Sequence, residues 1–190
     1  MQSIPVILNL QAINLTDQQF YQLCQDNRDL QLERNAEGAL IIMPPVGGIS
    51  GSRESDLNGR VWLWNEQTKL GKVFSSSTIF RLPGGGDRSP DVAWVRLDRW
   101  NALTLQEQER FPPLCPDFVI ELLSRTDSLD LLQTKMQEYL NSGLQLGWLI
   151  NPQDEQVEVY RANQEKQILK FPVELSGELV LPGFTLALPI

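Results

Sequence analysis

The feature that most constrains this chain is a carboxylate inside an apolar run, Phe118-Val119-Ile120-Glu121-Leu122-Leu123. A short run of this kind reads as a central strand buried on both faces of a sheet. An ionised glutamate in such a strand is costly unless something compensates its charge. A buried salt bridge to an arginine, a metal ion, another cation or a local water-filled cleft would each do so. After the strand, Asp127 or Ser128 caps a helix that runs to about Asn141, Gly143 stops it, and Leu146 to Ile150 forms another buried strand turned by Asn151 and Pro152.

A second acid stands in Ser89-Pro90-Asp91-Val92-Ala93-Trp94-Val95. The spacing predicts a strand that Pro90 opens and in which Asp91 takes the first paired position, because a proline at a strand start need not donate to the ladder. Asp91, Ala93 and Val95 then share one face. Read by itself, Pro-Asp is more often a turn signal than a strand start. On the helix after Glu121, Lys135 and Tyr139 lie one turn apart on the same face, bordering Leu132, Met136 and Leu140. Lys135 either snorkels to the surface or reaches along the core edge toward the preceding strand.

The rest of the chain supplies the frame. Thr16 caps a short helix through DQQFYQLCQDN, and Leu30 to Arg34 with Ala39 to Met43 forms a hairpin turning at Gly38. Pro44 and Pro45 end that hairpin, GGISGS is expected as a flexible loop, and Arg53 to Lys69 reads as a helix with Leu57, Val61 and Trp64 on one stripe. Segments 72–74, 78–82 and 91–95 predict three strands in an antiparallel meander, followed by a short helix from Thr104 to Arg110. QVEVY and further extended pieces close the chain. The expectation is a single α/β domain over 1–190 with a mixed α+β sheet.

Composition limits the chemistry. With 190 residues, 42% hydrophobic and 21% charged, the chain is an ordinary globular one. A net charge of -8 argues against bulk attraction to nucleic acid or anionic membrane. Yet Arg53 to Arg99 holds eight basic residues against six acidic ones, so that stretch is +2 and the remainder -10. No apolar run approaches the ~20 residues of a membrane span. Cys24 and Cys115 have no metal or redox spacing and read as reduced thiols in a cytoplasm. Histidine is absent, which removes Ser-His, Cys-His and His-zinc chemistry. Two carboxylates converging from neighbouring strands instead suit Mg²⁺ or Mn²⁺, with a nearby lysine to orient water or stabilise phosphate charge.

The segments DRSPDVAW, CPDFVIELLSRTDS, KMQEY and LGWLINP, in this order, closely resemble the Uma-type (DUF820-like) restriction-endonuclease family abundant in cyanobacteria, within the PD-(D/E)xK nuclease superfamily. The resemblance runs from about Leu30 to Phe184. It implies a restriction-endonuclease-like αβββαβ core with an extra N-terminal helix and hairpin and C-terminal strands. It further implies a metal-dependent phosphodiesterase with Asp91 and Glu121 as metal ligands. The superfamily's lysine two residues after the glutamate is replaced here by Leu123, and Lys135 on the next helix takes its role. LERNAEGALIIMPP resembles the family's N-terminal strand motif, which makes Glu33 a further candidate; Glu54 and Asp56 compete for an acidic place on the preceding helix, and Tyr139 is an additional candidate.

Three functions follow as expectations. The first is a Mg²⁺-dependent DNA endonuclease whose basic residues between 53 and 99 contact phosphates, with a homodimer pooling two clefts. A non-catalytic scaffold or regulatory descendant is the second, favoured by the missing lysine at 123. The third is an RNA or nucleotide phosphodiesterase using the same site.

Overall fold

The computed structural model describes residues 5–10 and 12–190. Strand β1 (Val6–Leu8) precedes helix α1 (Asp17–Asp26), which begins where the Thr16 hydroxyl accepts from the Gln19 N–H and the Gln19 side chain closes back on the Thr16 N–H. The hairpin β2 (Gln31–Arg34) and β3 (Leu40–Met43) turns through Gly38 at φ +84°, a backbone conformation natural to glycine. Helix α2 (Gly48–Thr68) follows, then β4 (Gly71–Ser75), β5 (Phe80–Arg81), β6 (Asp87–Arg88) and β7 (Val92–Arg96). Two short helices, α3 (Leu97–Asn101) and α4 (Leu105–Glu109), lead to β8 (Phe118–Leu122), α5 (Leu129–Asn141) and β9 (Leu146–Asn151). The chain closes with β10 (Gln156–Arg161), β11 (Gln167–Lys170), β12 (Val173–Ser176) and β13 (Thr185–Leu188).

Every residue of β8 is buried, as the apolar run requires. It lies inside a six-stranded sheet of order β11-β10-β9-β8-β7-β4. It pairs antiparallel with β7 and parallel with β9, the parallel step being bridged by α5. The elements α2, β4, β7, β8, α5 and β9 give the αβββαβ order. Alternation sorts the side chains. Val92, Trp94, Phe118, Ile120 and Trp148 face α2 and the C-terminal strands, while Ala93, Val95, Val119 and Leu149 face α5. A second sheet, β1-β3-β2-β6-β5, carries the N-terminal hairpin and packs with α1 around Phe20 and Leu32.

Three local expectations are corrected. GGISGS is not a loop: α2 starts at Gly48, with Gly47 in the cap position and no side-chain cap. Glycine costs a helix roughly 1 kcal/mol per residue relative to alanine, a local preference that the rest of a long packed helix overrides. The predicted meander is also interrupted. Strand β4 pairs directly with β7, and the Gly-rich turn folds β5 and β6 into a separate hairpin that joins β2 in the second sheet. Asp91 precedes β7, which pairs from Val92 onward, so the Pro90-Asp91 pair lies just outside the strand. Both cysteines are free, and burial pushes Cys24 up to about 11 and Cys115 up to about 12. Among the described residues no helix is long and apolar enough to cross a membrane.

Where α2 meets the sheet edge, one buried amide binds three groups. Asn65 donates to the Gly71 carbonyl and accepts from both the Gly71 N–H, each at 3.0 Å, and the Trp94 indole N–H at 2.9 Å. Gly71 is required there, since a Cβ would lie 2.3 Å from the Val95 carbonyl oxygen. Asn65→Ala leaves these buried groups unsatisfied and is expected to lower stability by about 2–4 kcal/mol in urea unfolding. An unchanged urea midpoint would contradict this role.

Candidate active site

The β7–β8 register brings the two acids together. Val92 pairs with Ile120 in an antiparallel ladder, so one step back sets Asp91 opposite Glu121, both on the α5 side of the sheet. Asp91 is tied across the gap, its Oδ2 accepting from the Leu122 N–H at 2.7 Å. The strand end thus fixes the carboxyl even though Asp91 itself lies outside the ladder.

Helix α5 supplies the compensating charge. Lys135 is 5% exposed, and its ammonium reaches Glu33 Oε1 at 2.9 Å, the Ser89 carbonyl at 3.0 Å and Glu121 Oε2 at 3.1 Å. One turn on, the Tyr139 hydroxyl donates to Glu121 Oε1 at 3.0 Å. The cation facing Glu121 is therefore a lysine from the following helix, neither an arginine nor a surface group. An ammonium carries three protons, and here three oxygen acceptors surround it.

Glu33 enters from β2 in the second sheet. Besides Lys135 it accepts from the Ser89 N–H at 3.1 Å and from Arg88 Nη1 at 2.9 Å. Arg88 holds Glu138 of α5 through two bonds of 2.6 and 2.7 Å. A buried chain Glu138–Arg88–Glu33–Lys135–Glu121 consequently joins both sheets and the helix. Among the described residues no buried side-chain polar atom lacks a partner. Arg88, Glu138 and Ser89 were not singled out from the sequence. Glu138 stands at i+3 from Lys135, which places it on the same helical side and was the one available signal.

Of the two acids competing on α2, Glu54 lines the same cleft and accepts a short hydrogen bond from the Ser76 hydroxyl. Asp56 does not reach it; this residue is exposed and ion-paired with Arg60 at 2.8 Å. The cleft, about 600 Å³, is lined by five carboxylates (Glu33, Glu54, Asp91, Glu121 and Asp127) against two cations, Lys135 and Arg125.

This crowding shapes the electrostatics. Burial, then the facing Glu121, holds the Asp91 carboxyl well above the usual carboxylate range. Burial also raises Glu121, with Lys135 opposing. Burial works against charge on Lys135 too, but Glu121 and Glu33 outweigh it and keep the ammonium protonated beyond the usual lysine range. Glu33 ends below its ordinary value because Lys135 and Arg88 outweigh its burial.

A divalent cation between Asp91 and Glu121 would relieve the repulsion that raises Asp91. Among the described residues no group of three or more acids or cysteines is arranged to hold a metal, and Asp91 with Glu121 offers two carboxylates. One or two carboxylates with the remaining positions filled by water and substrate suit Mg²⁺, and the hard oxygen donors fit it.

Comparison with known proteins agrees with this architecture. A crystal structure of a putative nuclease belonging to DUF820 from Anabaena variabilis superposes with a TM-score of 0.71 at 21% identity, covering 82% of this chain and 86% of that one. No curated protein matches the sequence. The family Uma2, described as "Putative restriction endonuclease", matches residues 17–189, and the chain belongs to that family.

Proposed function

We propose that this chain is a metal-dependent endonuclease that hydrolyses DNA phosphodiester bonds with Mg²⁺ or Mn²⁺ held by Asp91 and Glu121. The observation that carries the reading is the placement of these two acids opposite each other on one sheet face, with the Lys135 ammonium bonded to Glu121. Family membership and the nuclease-like fold support a nuclease in general; the residue roles rest on the geometry.

When bound, the ion would supply a polarised water and neutralise charge on the scissile phosphate. The protein does the rest. Asp91 and Glu121 present hard oxygens at the cleft floor, and the Leu122 N–H fixes the direction of Asp91. Lys135, protonated and held by Glu33, Ser89 and Glu121, assists the attacking water by its charge; with its ammonium stabilised by two carboxylates it does not take the proton. Tyr139 fixes the second oxygen of Glu121. Leu123, where the superfamily lysine would stand, is buried apolar surface, and Lys135 brings an ammonium to the same glutamate from the next helix, so its absence at 123 does not favour a non-catalytic descendant. A homodimer, in which the free edge of β1 with its exposed Val6, Ile7 and Leu8 offers one meeting surface, belongs to the same proposal.

Plasmid nicking with Mn²⁺ is expected for the native chain and should fall by about two orders of magnitude or more in both Asp91→Asn and Glu121→Gln. Nicking that survives both changes overturns the assignment. Independently of turnover, saturating Mn²⁺ should raise the melting temperature of the native protein, equivalent to roughly 2.7 kcal/mol at a hundredfold excess over Kd, and leave Asp91→Asn unmoved. Lys135→Met strips the shared cation from Glu33 and Glu121 and should cost roughly 3–5 kcal/mol of stability, whereas Glu54→Gln should change it little. Equal losses in the two variants would argue against the buried chain as drawn.

A further inference from the structure

The cations that a duplex-binding surface would need are already engaged. Of the eight basic residues between Arg53 and Arg99, six are ion-paired within the chain: Arg60 with Asp56, Lys69 with Glu66, Arg81 with Asp87, Arg88 with Glu33, Arg96 with Asp98 and Arg99 with Asp117. Affinity for duplex DNA comes mainly from neutralising several phosphates at once, and a chain of net charge -8 with its central arginines paired offers few contacts of that kind.

The cleft itself holds a different set of features. Its floor is acidic, and Asp91 and Glu121 lie deep in it, Glu121 at 2% exposure. Of its two cations, Lys135 is buried and ion-paired inside the protein. Arg125, in the loop between β8 and α5, is exposed, lines the cleft, and among the described residues has no ion-pair or hydrogen-bond partner. The same cleft has an apolar stretch of rim: Val46 is 59% and Ile49 73% exposed beside Met43, Pro44 and Pro45. One free guanidinium and one open apolar stretch lining the same cleft match a ligand that presents both a phosphodiester and an uncovered base face. A duplex hides its base faces in the stack; a single strand exposes them. A single strand can also bend to carry one phosphate down to a recessed floor.

Building on the nuclease reading above, we propose that the substrate is a single-stranded polynucleotide, with Arg125 contacting the phosphodiester and the Val46–Ile49 rim receiving an adjacent base. The chemistry is shared by single-stranded DNA and RNA. Both therefore enter the test.

The experiment has two readouts. In Mn²⁺, a labelled oligonucleotide, its RNA counterpart and its duplex form are offered to the native chain, to Arg125→Ala, to Ile49→Asp and to the distant control Lys170→Ala. Cleavage of one of the single strands is expected at least tenfold faster than cleavage of the duplex. Arg125→Ala and Ile49→Asp should each raise KM about tenfold for that strand while kcat changes little, and Lys170→Ala should match the native chain. Fluorescence anisotropy with Asp91→Asn measures binding of the same three probes without turnover. Single-strand binding that depends on Arg125 supports the inference even if no probe is cut, in which case only the nuclease reading fails. Equal or faster cleavage of the duplex, indifference to both Arg125→Ala and Ile49→Asp, or no binding of either single strand overturns it.

Discussion

The contact on which the rest of the structure turns is the buried pair of Glu121 and Lys135. A glutamate in a fully buried strand is tolerable only if an opposite charge meets it inside the protein, and the lysine that does so comes from the helix leaving that same strand. The lysine in turn requires Glu33, Glu33 requires Arg88, and Arg88 requires Glu138 back on α5. The charges alternate in sign along this chain, which runs from Glu138 on α5 back to Lys135 on the same helix and ends at Glu121 on β8. Such an arrangement is weak evidence of added stability, since apolar residues could fill the same volume. What it does is hold a carboxylate in place at the floor of a cleft.

Much of this was legible in the residues. Apolar runs at 118–123 and 146–150 gave the central strands, and the helical stripe of Leu57, Val61 and Trp64 gave the helix packed beneath them. Asp91, Glu121 and Lys135 could be nominated because each was chemically out of place or suitably spaced. What remained hidden depended on pairing across long stretches of sequence. Arg88 is separated from Glu138 by 50 positions and from Glu33 by 55, so nothing local distinguishes it from a surface arginine. Strand β6 was missed for a related reason: a two-residue strand carries no period and is defined only by its partners β5 and β2, which draw the expected strand at 78–82 out of the meander. The choice between Glu54 and Asp56 was two residues wide. Which of them lines the cleft depends on the side that α2 turns toward it, and that side carries Glu54.

The same pairings separate the positive stretch of sequence from positive surface. Counting residues between Arg53 and Arg99 suggested a region available to phosphates, whereas most of those side chains bind acids of their own chain, some nearby like Asp98 and others distant like Asp117. Sequence charge becomes field only after internal partners are subtracted. Among the described residues the cations left without an acidic partner are few, and of these Arg125 lines the acidic cleft.

Glu33 belongs to the hairpin, outside the αβββαβ order that defines the fold. Since its carboxylate both grips Lys135 and anchors the Ser89 backbone two residues before Asp91, the N-terminal sheet is a structural member of the acidic cleft. The smallest autonomous unit of this protein therefore cannot be drawn around the shared core alone. A fragment beginning at α2 would keep every strand of the central sheet and yet lose the Glu33 carboxylate that Lys135 binds, which stands on β2.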